Sequence, residues 1–307
     1  MTCLSVRAAA KINLSLDVVG RREDGYHLLS TVMQTVELAD RLTIRLEPEH
    51  PGIRLICPQT GIPLDSRNTV WKAAAFFLEA TGAGVGLTIR LDKQIPAAAG
   101  LAGGSADAAA VLYGLDRLLP DRLSRPRLFE LAARIGADVP FCLQGGTVLC
   151  EGIGEKLTIL PPLGRFPVLL CKPDFGLSTP WVFSRLKREQ LGKRPDQQAV
   201  IAALADRDLP ALARHTANVL ESVSLPAYPV LRELKRHLAA DGAALALMSG
   251  SGPTVFGLFE DPAACAAARA RLAGIAPPGA LILQTWTCPS GPDIIAGDCS
   301  DAADPGE

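Results

Sequence analysis

Between Val6 and Val18 apolar and polar residues alternate. Val6, Ala8, Ala10, Ile12, Leu14, Leu16 and Val18 fall on even positions, and Arg7, Lys11, Asn13, Ser15 and Asp17 on odd ones. A period of two predicts a strand with one buried and one polar face, and it places Lys11 and Asn13 on the same side. The pattern recurs at Leu42, Ile44 and Leu46, with Thr43 and Arg45 opposite, and at Leu87, Ile89 and Leu91, with Thr88 and Arg90 opposite. Between the first two runs, Asp24-Gly25 within Arg22–His27 reads as a turn.

From Ser105 to Leu119 the pattern becomes helical, and Pro120 stops it. Ser124 caps a second helix that has Pro126 in its first turn and Gly136 past its end. Asp138-Val139-Pro140 reads as an Asp cap with proline in the first turn of a third. The stretch Leu160 to Phe166, rich in Pro and Gly, is the best boundary. Beyond it the pattern predicts strands at Val168–Cys171, Leu245–Met248, Thr254–Phe259 and Leu281–Trp286. Helices are predicted at Gln197–Ala213, Val230–Ala240 and Pro262–Ala273. The fold class is α+β with mixed sheets in two domains, 1–162 and 163–296. The small acidic tail from Gly297 to Glu307 is expected to be disordered.

Composition narrows the partners. The 31 basic and 32 acidic side chains nearly cancel. There is thus no global attraction for nucleic acid or an anionic membrane, and any anion site must be local. No apolar run reaches membrane-spanning length and the N-terminus does not read as a signal peptide, so a cytoplasmic protein is expected. The eight cysteines show no Cys-x-x-Cys pair and read as reduced thiols rather than a disulfide or zinc framework.

Chemistry concentrates in Pro96-Ala97-Ala98-Ala99-Gly100-Leu101-Ala102-Gly103-Gly104-Ser105, which leaves a strand and opens a helix. Small side chains let the backbone approach a ligand, and the first N–H groups of the helix lack internal partners. Phosphate oxygens suit that position. Gly-Lys-Ser/Thr does not follow, so it is not a Walker A loop, and the glycine spacing is not that of a dinucleotide fold. On composition alone an alanine-rich helix behind a glycine linker fits equally well.

Three segments in order resemble the GHMP kinases, which phosphorylate hydroxyls of small molecules. They are Ala10-Lys11-Ile12-Asn13-Leu14, the Pro96–Ser105 loop, and Ser249-Gly250-Ser251-Gly252-Pro253-Thr254. Within the family, Gly20–His27, Gly136–Phe141 and Glu151–Glu155 are similar to the branch whose acceptor is a cytidine-diphosphate sugar alcohol. Ala102 stands where the family loop usually has glycine; its methyl group is expected to require negative φ.

The resemblance implies a two-domain fold with the active site in the cleft between the domains, Asp138 as catalytic base and Lys11 as its cation. It assigns ATP to Asn68, Lys93 and the run Pro96, Ala97, Ala98, Ala99, Gly100, Leu101, Ala102, Gly103, Gly104, Ser105 and Ala106. It assigns the acceptor to Asn13, Tyr26, His27, Thr179, Phe183, Ser249, Gly250 and Ser251, with Tyr26 and Phe183 stacking on the cytosine. Mg²⁺ is expected with the triphosphate, and Ser105 is the one ligand suggested. The rival readings are a homoserine or mevalonate type kinase, a non-catalytic binding protein on the same fold, and a structural or interaction module, which would leave the glycine loop, Lys11 and Asp138 unexplained. A monomer or homodimer is expected.

Overall fold

The computed structural model describes residues 2–119 and 123–295. Pro120 and the tail from Gly297 lie outside them.

The first half runs β1 (Cys3–Arg21), β2 (His27–Glu47), β3 (Ile53–Ile56), α1 (Thr69–Thr81), β4 (Gly86–Asp92), α2 (Gly103–Leu118), α3 (Arg125–Ile135), α4 (Val139–Gln144), β5 (Thr147–Gly152) and β6 (Lys156–Ile159). The second half runs β7 (Pro167–Lys172), α5 (Thr179–Ser184), α6 (Gln197–Asp206), α7 (Leu209–His215), α8 (Glu221–Ala227) and α9 (Pro229–Ala240). It closes with β8 (Leu245–Met248), β9 (Val255–Leu258), α10 (Pro262–Ala273), β10 (Leu281–Trp286) and β11 (Asp293–Ile295).

Two sheets form. The larger has the order β11-β1-β2-β4-β3, with β5 and β6 branching from β2. It is mixed because β3 pairs parallel to β4. The smaller, β10-β7-β9-β8, is antiparallel throughout. The β7 sequence is almost wholly apolar because both of its faces are buried. Val168 and Leu170 join one core with the first half, while Leu169 and Cys171 join a second with α9 and α10. The first core thus crosses the boundary read at 162–163. Strand β11, assigned to the second half on sequence, pairs with β1 in the larger sheet.

The polar face of β1 departs from expectation. Lys11, Asn13, Ser15 and Asp17 are all buried. The second half covers them: Ser15 donates to Gln197 at 2.7 Å, and Asp17 takes a forked pair of bonds from Arg194. Polar residues on a strand read equally well as facing water or a polar cleft, and the alternation does not separate the two. The helix expected from Gln197 to Ala213 is broken in two. Arg207 takes the left-handed conformation, and Asp208 caps α7, whose first turn holds Pro210. Cys57, Cys142, Cys150, Cys171, Cys265 and Cys288 are free, but Cys3 is disulfide-bonded, which corrects the reading of every cysteine as a thiol.

Candidate active site

A cavity of about 670 Å³ lies between the halves. Its rim is the loop from Pro96 to Ser105, and its floor is the buried face of β1. Lys11, Asn13, Asn68, Lys93, Asp138, Thr179, Phe183, Gly250 and Ser251 also line it.

Two elements bring Lys11 and Asp138 together. The β1–β2 register shifts between Ala9 and Lys11, where β2 carries the extra residues between Ala39 and Thr35, and Lys11 is 3% exposed. Its Nζ donates to Asn13 Oδ1 at 2.7 Å and stands 3.7 Å from Asp138 Oδ2. Asn13 in turn donates to Thr31 Oγ1 at 2.9 Å, which orients its amide. Asp138 occupies the residue before α4, but its side chain makes no capping bond. Its carboxylate faces the cavity, half-buried, beside the ammonium.

Backbone geometry shapes the loop. Ala98, Gly100 and Ala102 all have left-handed φ, of 48°, 76° and 59°. Ala102 therefore contradicts the expectation of negative φ. It is the residue before α2, where the chain must turn sharply into the helix, and tertiary contacts hold it there at a cost of roughly 1–2 kcal/mol. Ala102→Gly should relieve that strain and raise stability by up to about 1 kcal/mol, read as a higher urea midpoint at constant slope. Lower stability in the variant would mean that the methyl packs more than it strains.

Asn68 caps α1, accepting from Val70 N at 2.9 Å and donating to the Pro63 carbonyl at 2.7 Å. Lys93 forms ion pairs with Asp40 and with Asp107, the latter at 2.7 Å. Burial works against its charge, but Asp107 and Asp40 hold its pKa above the ordinary value. Burial pushes Asp107 above the usual carboxylate range; Lys93 pulls against it and Asp40 adds to it. Ala106 is turned into the core.

At the acceptor end the ring beside Phe183 is His27, with centroids 5.0 Å apart. Tyr26 is 61% exposed, and neither it nor His27 is among the residues lining the cavity, which Phe183 is. Burial first, and then the Arg21 charge, hold the His27 pKa below its ordinary 6.5. Thr179 and Ser251 hydroxyls share a hydrogen bond at 2.9 Å. Ser249 is fully buried and donates to the Gly100 carbonyl at 2.9 Å, so it fastens the loop from beneath. Sequence reasoning missed Asn218, whose amide donates to the Met248 and Gly250 carbonyls at 2.8 Å and sets the second glycine turn. A lone asparagine far from any motif carried no signal for it. Among the described residues no cluster of three or more His, Cys, Asp or Glu could hold a metal ion.

A backbone cradle at a helix start faces a cationic and an anionic side chain across one cleft, an arrangement that suits phosphoryl transfer. The chain matches the GHMP kinases N terminal domain over residues 68–146 and the GHMP kinases C terminal domain over residues 200–275, and it belongs to the GHMP kinases. The chain is 44% identical over 261 residues to 4-diphosphocytidyl-2-C-methyl-D-erythritol kinase of Acetivibrio thermocellus, covering 85% of this chain and 92% of that protein. It is 46% identical to the enzyme of the same name from Clostridium botulinum strain Loch Maree, over 83% of this chain and 90% of that one. A crystal structure of 4-(cytidine 5'-diphospho)-2C-methyl-D-erythritol kinase superposes with a TM-score of 0.77 at 36% identity, covering 93% of this chain and 100% of the other. A homoserine kinase from Cytophaga hutchinsonii reaches the same TM-score at 23% identity, over 96% of this chain and 98% of that one, and shares the fold. Within the GHMP kinases the chain belongs to the 4-diphosphocytidyl-2-C-methyl-D-erythritol kinase family.

Proposed function

We propose that the enzyme transfers the γ-phosphoryl group of ATP to the 2-hydroxyl of 4-diphosphocytidyl-2-C-methyl-D-erythritol, giving the 2-phosphate and ADP. The step belongs to the non-mevalonate (methylerythritol phosphate) route to isoprenoid precursors. The observation that carries the reading is the Asp138 carboxylate, uncommitted to its own helix and 3.7 Å from the buried Lys11 ammonium. Asp138 orients the acceptor hydroxyl and accepts its proton as the phosphoryl group arrives. Lys11, fixed by Asn13, offsets the negative charge that develops at the reacting oxygens. Backbone N–H groups at the start of α2 hold the phosphates. The Ser105 hydroxyl lines the same cavity, and an oxygen donor suits Mg²⁺ entering on the triphosphate with its own waters. Bound there, Mg²⁺ would offset the phosphate charge.

His27 and Phe183 hold the cytosine end, with the exposed Tyr26 next to His27 in the chain. A neutral imidazole presents one donor and one acceptor to a base edge. Phe183→Ala should raise the acceptor KM roughly tenfold, since stacking is worth about 1–3 kcal/mol per base in nucleic-acid sites, and the ATP KM should stay put. Tyr26→Ala should have the smaller effect of the two. The acceptor KM should also rise as pH falls through the lowered His27 pKa, because the protonated ring loses its acceptor nitrogen. The deciding assay is ADP release with the cytidine compound, with methylerythritol phosphate lacking it, with homoserine and with mevalonate. Equal turnover of any acceptor lacking the nucleotide would overturn the assignment.

A further inference from the structure

Three charged side chains from three parts of the chain meet beneath the phosphate loop. They are Asp40 of β2, Lys93 just past β4, and Asp107 of α2. Their side chains are 0%, 10% and 4% exposed. Lys93 Nζ donates to Asp40 Oδ2 and to Asp107 Oδ2. Asp40 Oδ1 also accepts the backbone N–H of Gln94 and, at 2.7 Å, that of Ile95. Gln59 grips the same turn from the other side. Its amide donates to the Lys93 carbonyl at 2.6 Å and accepts the Lys93 N–H at 3.2 Å. Residues 93–95, directly before Pro96, are thus fixed on both flanks.

Asp107 lies one turn into α2, the helix that the loop opens. A Cβ on Gly103, where α2 starts, would come within 3.2 Å of Lys93 Nζ. The two ends of the loop therefore meet, and the Lys93–Asp107 bond joins them. Removing a single partner from such a buried group is costly, since a charge is left without its counter-ion.

The sign of the charge decides what the group does. Two carboxylates share one ammonium, so when all are ionised the group is net negative. Asp40 neutralises the Lys93 charge where it stands whether or not the buried Asp107 is ionised, so the group offers a triphosphate no net positive charge. Attraction of phosphate is left to Lys11 and the α2 N-terminus; the triad supplies position.

We propose that Asp40, Lys93 and Asp107 are positioning residues for the nucleotide. They fix the separation of the two ends of the phosphate loop and set ATP affinity through its backbone, with no Lys93–phosphate ion pair. The inference rests on the assignment of the Pro96–Ser105 loop to ATP.

Asp40→Asn and Asp107→Asn separate the alternatives, with affinity for a non-hydrolysable ATP analogue measured by calorimetry alongside steady-state kinetics. Loosened loop ends should weaken analogue binding and raise the ATP KM about tenfold, with the acceptor KM within about twofold. If Lys93 instead pairs with phosphate, losing either carboxylate frees its charge and both variants bind the analogue more tightly, which overturns the proposal. A lower melting temperature with unchanged analogue affinity reduces the triad to a fold-stabilising role and also overturns it. Should Asp40→Asn fail to fold, Asp107→Asn decides alone, since its amide can still accept from Lys93. Hydrogen exchange of residues 97–104 in the parent enzyme, with and without the analogue, checks the loop assignment separately. Absent protection there would fault the assignment; protection with unchanged affinity in the variants would fault the triad.

Discussion

Asp138→Asn is expected to lower kcat by roughly 10²–10⁴ while both KM values stay within a few-fold. The amide keeps the size of the carboxylate and can still accept a hydrogen bond from the acceptor hydroxyl, so ground-state binding persists. It cannot take the proton. The fold should not suffer, because the Asp138 side chain makes no capping bond and is about one-third exposed. Melting temperature is therefore the internal control. Lys11→Met should reduce kcat comparably through lost charge stabilisation, and methionine keeps the buried stem filled. The two effects should be less than additive, because each residue acts on the same oxygen with the other in place. Near-normal turnover in Asp138→Asn would remove it from the chemistry.

The sequence carries the elements with strong periodicity and clear ends. The helix read at Pro262–Ala273 and the strand at Leu281–Trp286 match α10 and β10 residue for residue, because each run is bounded by turn residues. Strand β2 was visible only at its C-terminal end. Its earlier part is buried on both faces and mixes Ser, Thr and Gln with apolar residues, which hides the alternation. The site was legible as three segments, and their convergence is what the fold adds. Some roles shift on inspection of the contacts. Ser249 faces the loop from below, Asn68 has both ends of its amide engaged, and Lys93 answers two carboxylates. A motif gives the position of a side chain in the chain and leaves open which neighbour it turns toward. Asp40 and Asp107 show this most clearly, since neither residue belongs to any recognisable pattern.

Gly100→Ala should be the most damaging single change in the loop. Gly100 holds φ of 76°, and an added Cβ would lie 2.2 Å from the Ser249 carbonyl oxygen and 3.2 Å from that of Gly252. Both obstacles are backbone, so no side chain can rotate away. The residues around it are committed as well. Leu101 O accepts the Lys11 N–H at 3.2 Å, Gly100 O accepts from Ser249 Oγ, and Ala99 O accepts the Thr254 N–H at 3.3 Å. The loop must lift away from the second glycine turn, and its attachment to β1 beside Lys11 loosens with it. Left-handed strain and the clash together should cost about 2–4 kcal/mol of stability. Misplacing the phosphates relative to Lys11 and Asp138 should reduce kcat/KM a hundredfold or more. Gly242→Ala separates strain from collision, because Gly242 has φ of 92° and nothing within 4 Å of an added Cβ. That control should lose about 1 kcal/mol and keep its activity. If Gly100→Ala retains the kcat/KM of Gly242→Ala, the contact between the two glycine-rich segments does not organise the active site.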